Sequence, residues 1–405
     1  MSELIELNGK KITAKDSIEL SKKAQNVVLD LVRNSHSVYR REITHYQRAR
    51  QMRQSKQNPR TYLQQSVYED AMLDTHLSAV IENRILRMLN KRFVIIDDKG
   101  ITNPEKSQLI NKKWFSKAVR YLMESIFYEY SLVQLIKDGN EIVGCNNIPR
   151  GHVIPELDIV VKNVTDDKGL DFTLFPDDLL FAKMYDGRGL LEKATPMTIL
   201  KRHSWASWDE FEQVFGIPIR IAKLGSMSDP IKKEVAGWLE DMGSMSYGVF
   251  PNHAEIEIKE ANNRDAFNVF FKKIEAVDSQ NSILINGQTM TVQNGSSHSQ
   301  ANVHQQTQDE ITEADLKNIL YWCNDILLPT MRRIGYKIGD NEKIGVERVT
   351  NPVEKIKIDA VLMQNGYNLS KDYIERLYGV ELADEPKEPK PKEPVEPKTP
   401  KAEKK

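Results

Sequence analysis

Apolar residues recur along this chain with two different periods, and the alternation between them divides it into helices and strands. Leu77, Val80, Ile81, Ile85, Met88 and Leu89 follow at helical spacing, which predicts an amphipathic helix with one buried face. Residues 92–96 read as a short strand, closed by the turn residues Asp97, Asp98, Lys99 and Gly100. A second helix is expected from Asn103 and Pro104, a capping residue followed by one suited to the first turn, through Trp114 to Tyr128. Residues 132–136 and 141–144 flank Asp138-Gly139, a hairpin signal because glycine supplies the positive φ of a tight turn. Residues 153–163 and 172–185 continue the strands.

After Tyr185 the helical period dominates. Asp186-Gly187-Arg188-Gly189 breaks the last strand, and residues 190–215 read as a long helix interrupted or bent at Pro196, with Trp205, Trp208, Phe211 and Phe215 as its large apolar residues. Residues 217–221 read as extended, 230–242 as a helix, 248–250 and 254–259 as extended, 264–279 as a helix and 283–292 as extended. Residues 293–302 offer almost nothing to bury and are expected to be an exposed or disordered loop. Ile319, Leu320, Cys323, Ile326, Leu327, Met331 and Ile334 then share one stripe. Pro329 should bend that helix near Ile326, since an interior proline forfeits a hydrogen bond at about 3 kcal/mol. Helices are expected at 352–364 and 370–378, and from Asp384 onward the chain is a Pro, Lys and Glu tail with no core-forming residue beyond Val395. The pattern as a whole is α+β.

Composition narrows the chemistry. With 405 residues, 40% of them hydrophobic, the chain has room for two or three domains and a real core. Lys+Arg 57 against Asp+Glu 58 leaves a net charge of −1, so a global positive field for gripping phosphates is missing. Cys145 and Cys323 fit neither a disulfide framework nor a structural zinc site, and a reducing compartment is expected. No apolar run approaches the roughly 18 residues of a membrane span, and no export signal is expected. Locally, Arg33, Arg40, Arg41, Arg48, Arg50, Arg53, Lys56 and Arg60 face a single acid, Glu42, with Tyr39 and Tyr46 between them. This segment reads either as a surface for nucleic acid or an acidic partner, with Arg40, Arg41, Arg48, Arg50 and Arg53 at its centre, or as a solvated arm.

Enzymatic constellations are missing from the sequence: there is no phosphate loop, no dinucleotide fingerprint, no H-E-x-x-H and no G-x-S-x-G. His298 and His304 stand six apart, a spacing that suits neither a helix face nor a zinc knuckle. The adjacent acids Asp177-Asp178 and Glu240-Asp241 point in different directions on any regular element; a nuclease using Asp177 or Asp178 is the one enzymatic alternative. No enzyme activity, cofactor or metal is expected.

The order of the pieces resembles the Mu-like portal proteins of tailed phages over residues 62–336. Asp74, His76, Val80 and Arg84 form its first station, and Gly187-Arg188-Gly189 with Leu191 opens the long helix. The most specific stretch runs from Trp208 through Phe211, Phe215, Gly216 and Pro218 to Arg220. Val249, Pro251, Glu255, Glu257, Gly287, Thr289, Thr291, Gly295, Ser296, Val303 and His304 follow in the family's order, while Asn286 departs from it. This resemblance implies a closed homo-oligomeric ring, usually a dodecamer, whose cyclic symmetry suits a one-dimensional guest such as double-stranded DNA. It implies partners in the large terminase subunit, the major capsid or scaffold protein and the head-tail connector, and a place at the capsid vertex of the virion after assembly in the host cytoplasm.

Laid over the residues, the resemblance implies a basic N-terminal arm at 1–61, an α+β wing at 62–188 and stem helices at 189–247, carrying Trp205, Trp208, Phe211 and Phe215. Within the stem a short clip at 216–228, with Gly216, Ile217, Pro218, Ile219, Arg220 and Lys223, would dock the motor. Residues 248–335 would hold returning strands, a channel loop at 293–302 and a kinked helix, followed by a helical region at 336–383 and a disordered tail at 384–405. The loop residues expected to face DNA are Gln293, Asn294, Gly295, Ser296, Ser297, His298, Ser299 and Gln300. A bore that lets DNA slide both ways cannot clamp every phosphate, and amide and hydroxyl side chains offer weak, exchangeable hydrogen bonds instead. His298, with an unperturbed pKa of about 6.5, would be mostly neutral there at pH 7.

Overall fold

A computed structural model describes residues 4–7, 10–13, 42–215, 219–224, 254–259, 266–288, 298–347 and 352–378. In chain order the elements begin with β1 (Leu4–Leu7), β2 (Lys10–Thr13), α1 (Ile43–Arg53), α2 (Tyr62–Ala71) and α3 (Thr75–Leu89). Next come β3 (Phe93–Ile96), α4 (Pro104–Ser107), α5 (Lys113–Tyr128), β4 (Ser131–Asp138) and β5 (Glu141–Asn147). The short strands β6 (Val153–Ile154), β7 (Ile159–Val160) and β8 (Leu170–Asp171) lead to β9 (Leu179–Ala182) and the long α6 (Leu191–Phe215). Then follow β10 (Ile219–Leu224), β11 (Ala254–Lys259), α7 (Ala266–Asn286), α8 (His298–Trp322), a π-helical turn (Cys323–Leu327), α9 (Leu328–Ile334) and β12 (Lys343–Val346). Helices α10 (Pro352–Gln364) and α11 (Lys371–Tyr378) belong to a separate compact unit that starts at Arg348, where Tyr373 donates to Asp359 at 3.2 Å.

The α+β part of the chain before α6 is organised around β4, the middle strand of the antiparallel sheet β5-β4-β9. Its side chains alternate between two cores, as a period of two requires. Val133 and Leu135 join the main core with Trp114, Phe115, Val119, Leu122 and Phe127 of α5. Leu132 points the other way, into a second core with Tyr130, Val153, Phe172 and Phe175 beside the sheet β6-β7-β8. Gly139, at φ +57, makes the β4-β5 turn that the sequence indicates. The strands expected at 153–163 and 172–185 are largely turns: Pro155 and Phe172 each open a 3-10 turn, Asp158 sits at φ +53, and only two- to four-residue strands remain. The single helix expected from Asn103 divides into α4 and α5, because Ser107 and Asn103 tie α4 back to Ile95 of β3. Strand β12, where only helix was expected, pairs antiparallel with β3, Ile344 opposite Ile95.

Both proline positions keep their helices continuous. Pro196 lies inside α6 and cannot donate to the carbonyl four residues back, that of Glu192. The Tyr46 hydroxyl of α1 donates to that carbonyl at 2.7 Å instead. At Pro329 the bend expected near Ile326 takes the form of the π-helical turn, which shifts the helix face by one residue. Cys323, Leu327, Leu328 and Met331 are therefore buried, whereas Ile326, expected on the stripe, is exposed. Asn324 in that turn accepts from the Ile344 amide at 2.8 Å and donates to its carbonyl at 3.0 Å, so a side chain serves as partner to the free edge of β12. Cys145 and Cys323 are both free and buried.

The run at 283–292 expected to be extended begins as helix. Ile274, Val277, Asn281 and Ile285 are buried at helical spacing, and this packing overrides the β-branched stretch around Ile283 until Gly287, at φ +72, ends α7. Helix α7 packs along α6; the helix expected at 230–242 lies outside the described residues. Trp208 meets Phe271 edge-on at 6.4 Å, Phe211 meets Phe270 at 6.0 Å, and Lys201 binds Asp278.

In the turn before α6, Gly189 has φ +77, and a Cβ there would lie 2.3 Å from the Phe127 carbonyl oxygen. Glu129, which ends α5 at φ +86, holds this close approach together with the Leu190 amide, bonded to the Ile126 carbonyl at 3.0 Å. Gly189→Ala is expected to cost roughly 3 kcal/mol or more, combining positive-φ strain with a backbone clash. Gly187→Ala, at φ +103 with open space around it, should cost only about 1 kcal/mol; urea midpoints of the two variants check the difference.

Candidate functional site

Residues 293–302 were expected to form one polar loop. Gln293, Asn294, Gly295, Ser296 and Ser297 lie outside the described residues, while His298, Ser299 and Gln300 are the first turn of α8. The loop expectation is corrected there: a helix anchored further on by a buried stripe extends backward at one hydrogen bond per residue, even through weak formers. What the structure builds on either side of the undescribed stretch is a frame, the end of α7 and the Gln308 to Asp315 part of α8, both set against α3.

Helix α3 is the rail of this frame, and the residues of the first sequence station are its contacts. Asp74 caps α3 by accepting from the Leu77 amide at 2.9 Å, and it pairs with Lys201 of α6 at 2.8 Å. Two residues on, His76 Nε2 lies 2.8 Å from the Ser282 hydroxyl of α7. The Val80 carbonyl accepts from Asn286 of α7 at 3.4 Å, so the residue that departs from the family pattern has a structural partner. Arg84 then donates from Nε and Nη2 to the two carboxylate oxygens of Asp315 on α8, at 2.8 and 2.9 Å, and from Nη1 to the Ile285 carbonyl. Arg87 and Lys91, three and seven residues further, meet Gln308, Asp309 and Glu313 along the same face of α8.

The two ends of this ladder differ in energetic weight. Arg84 and Asp315 are both buried, and with the guanidinium fork on the carboxylate and Nη1 on a carbonyl each guanidinium nitrogen has a partner. Lys91 and Glu313 are exposed enough that water screens them. Tyr185, at the end of the wing, also donates to Asp315, at 2.8 Å. Burial first, and the Asp315 charge second, push its phenol up to about 12. Although the residue is 40% exposed, its hydroxyl end is the part turned inward. Asp315, Lys201, Asp278 and Asn281 were not legible as site residues, although an aspartate on the apolar stripe between Thr312 and Ile319 is a readable signal for a buried partner.

The other expected sites divide. Arg40, Arg41, Gly216, Ile217 and Pro218 lie outside the described residues, as does the Phe215 side chain. Ile219, Arg220 and Lys223 fall in β10, which pairs antiparallel with β11 so that Lys223 is in register with Glu255. Trp205 stacks on Trp208 at 5.3 Å and remains half exposed. The basic segment is not one surface: Arg48 is exposed and Arg50 pairs with Glu192, but Arg53 is 2% exposed, drawn inside by Glu129 and Glu156. Arg60 is likewise turned inward onto Asp167 and the carbonyls of Thr165 and Asp166. Asp177 pairs with Arg333 and Asp178 with Lys137, so the two carboxylates diverge instead of sharing a cation. Among the described residues no His, Cys, Asp and Glu side chains group as metal ligands, and no helix is long and apolar enough to cross a membrane.

Small sheets are joined through a glycine turn to the long helices α6 and α7. The backbone path is shared with a chain of the virion of a native gene transfer agent particle, at TM-score 0.52 and 9% identity, covering 83% of this chain and 99% of that one. An HK97 family phage portal protein from Corynebacterium diphtheriae matches at TM-score 0.41 and 11% identity, covering 74% and 97%. No curated protein sequence matches. The family model described as the portal protein of Mu bacteriophage matches residues 65–380, and the chain belongs to that family.

Replacing Asp315 with Ala strands a buried guanidinium, and an expected loss of about 3 to 5 kcal/mol follows. Lys91→Ala should cost under about 1 kcal/mol; denaturant midpoints measure both. The folded pKa of Tyr185 lies above its ordinary value of 10.0, so its contribution to stability is complete below that value and lost as pH rises through about 12. Tyr185→Phe is expected to lessen this alkaline loss in melts taken between pH 9 and 12.

Proposed function

We propose that this chain assembles as a closed ring at the capsid vertex and serves as the conduit through which double-stranded DNA is packaged and ejected. The observation that carries this reading is the match of the portal family over residues 65–380, joined by a fold shared along most of the chain with a gene transfer agent particle protein. The family is a structural one, and force generation is left to a separate motor, the large terminase subunit.

In this reading residues 293–297 face the bore, held by α7 and α8 on the α3 rail. Their amides and hydroxyls hold water and phosphate weakly, so DNA moves past them without the cumulative grip that a ring of cations would exert. The short clip at 216–228, of which Ile219, Arg220 and Lys223 lie in β10, meets the motor. The exposed apolar residues Met197 and Trp205 of α6, and Val269 and Phe271 of α7, fit contact between adjacent copies, since apolar surface of that extent on neighbouring helices gains from being covered.

Native mass spectrometry and negative-stain images of the purified chain are expected to show rings with a central hole. A strict monomer at high concentration would contradict the proposal. Deleting residues 293–297 should leave rings intact and impair packaging or retention of DNA in particles.

A further inference from the structure

A pocket of about 510 Å³ opens between the end of α3, the start of β3 and the first turns of α5. Lys91, Arg92, Lys112 and Lys113 stand on its wall, with Asn90, Asn111 and Ser116 among them, and no acid lines it. In a chain with Lys+Arg 57 against Asp+Glu 58, this is a local excess of positive charge. The floor is apolar: Ile110, Phe115 and Val119 are buried in the main core, and the partly buried Leu89 and Phe93 pack against it. Lys113 and the side chains of Asn90, Asn111 and Ser116 make no hydrogen bond or ion pair among the described residues. Lys91, Arg92 and Lys112 pair with Glu313, Glu347 and Glu141, acids that stand outside the pocket wall, through contacts open to solvent. Exposed pairs of this kind are worth about 0–1 kcal/mol, so these cations can turn to an incoming carboxylate without stranding a buried charge.

We propose that this pocket docks an acidic segment of a partner protein, one that places a large apolar side chain on the floor between two or more carboxylates. The proposal goes beyond the ring reading and does not depend on it. An apolar side chain on the floor continues the core and leaves water. Carboxylates on either side of it meet the lysines and the arginine of the wall in charge-assisted contacts. Asn90 and Asn111 add amides that both donate and accept, as a peptide backbone requires. The backbone of a DNA duplex would satisfy the cations and leave the floor uncovered, because phosphate and sugar carry no apolar side chain to set on it.

The test is fluorescence anisotropy on the full chain with a fluorescein-labelled peptide that carries a central phenylalanine between two pairs of glutamates. Saturable binding is expected, weakened about tenfold or more by Lys113→Glu, and likewise when the phenylalanine of the probe is exchanged for alanine. Lys113→Arg should bind as the parent does, and so should Lys162→Glu, which reverses an exposed lysine outside the pocket. The urea midpoint of Lys113→Glu should be no lower than the parent's, since the acid enters the first turn of α5, where the helix dipole favours it. Absence of saturable binding, or parental affinity in Lys113→Glu, would overturn the proposal. Equal affinity for the alanine probe would reduce the site to charge alone and remove the apolar anchor on which the proposal rests. Displacement of the probe by a DNA duplex, equally potent per anionic group, would assign the pocket to nucleic acid instead.

Discussion

A positive charge taken out of water must find its counter-charge within the fold, and Arg84 finds it on an element more than two hundred residues further along the chain. Its guanidinium spans from α3 to the Asp315 carboxylate of α8 while holding the last turn of α7 by a carbonyl. Such a pair adds less to net stability than its short distances suggest, because desolvating both ions offsets most of their attraction. What it fixes is position: any displacement of α8 against α3 leaves two buried charges unmatched. The last turn of α7 and the Gln308 to Asp315 part of α8 are thereby set relative to α3.

The same logic of replaced partners recurs where the chain departs from ideal helix. The carbonyl that Pro196 leaves open is filled by Tyr46, and the π-helical turn before Pro329 brings Asn324 to the bare edge of β12. At the wing-stem joint the absence of a side chain on Gly189 lets the turn lie on the end of α5. In the proposed conduit, a stiff frame would resist the load of moving DNA while a polar segment touches it through bonds weak enough to exchange.

Much of this architecture was legible in the sequence. The α3 stripe, the hairpin turn at Gly139, the cap at Asn103 and the start of α6 follow from period and turn chemistry alone, since each is decided by residues close together along the chain. What was hidden depends on distant partners. The extended reading of Ile283 to Asn286 failed because burial against α3 outweighs local β preference. The pairing of β12 with β3 was invisible in a four-residue strand containing Gly345. The basic run at 33–60 read as a binding surface or a solvated arm, because charge counts do not reveal that Glu129, Glu156 and Asp167 draw Arg53 and Arg60 inward. Asp74, His76 and Arg84 were recognised as a pattern, yet their partners Lys201, Ser282 and Asp315 come from other parts of the chain and could be assigned only in three dimensions.

The central claim, that residues 293–297 face the bore of a ring, is tested most directly by thiol accessibility. The native Cys145 and Cys323 are buried, so Ser296→Cys supplies the responsive thiol. With a maleimide reagent too bulky to enter the bore, labelling is expected to be fast in dissociated subunits and strongly suppressed in assembled rings, while a small maleimide reacts in both. Equal labelling of rings and subunits by the bulky reagent would contradict the account.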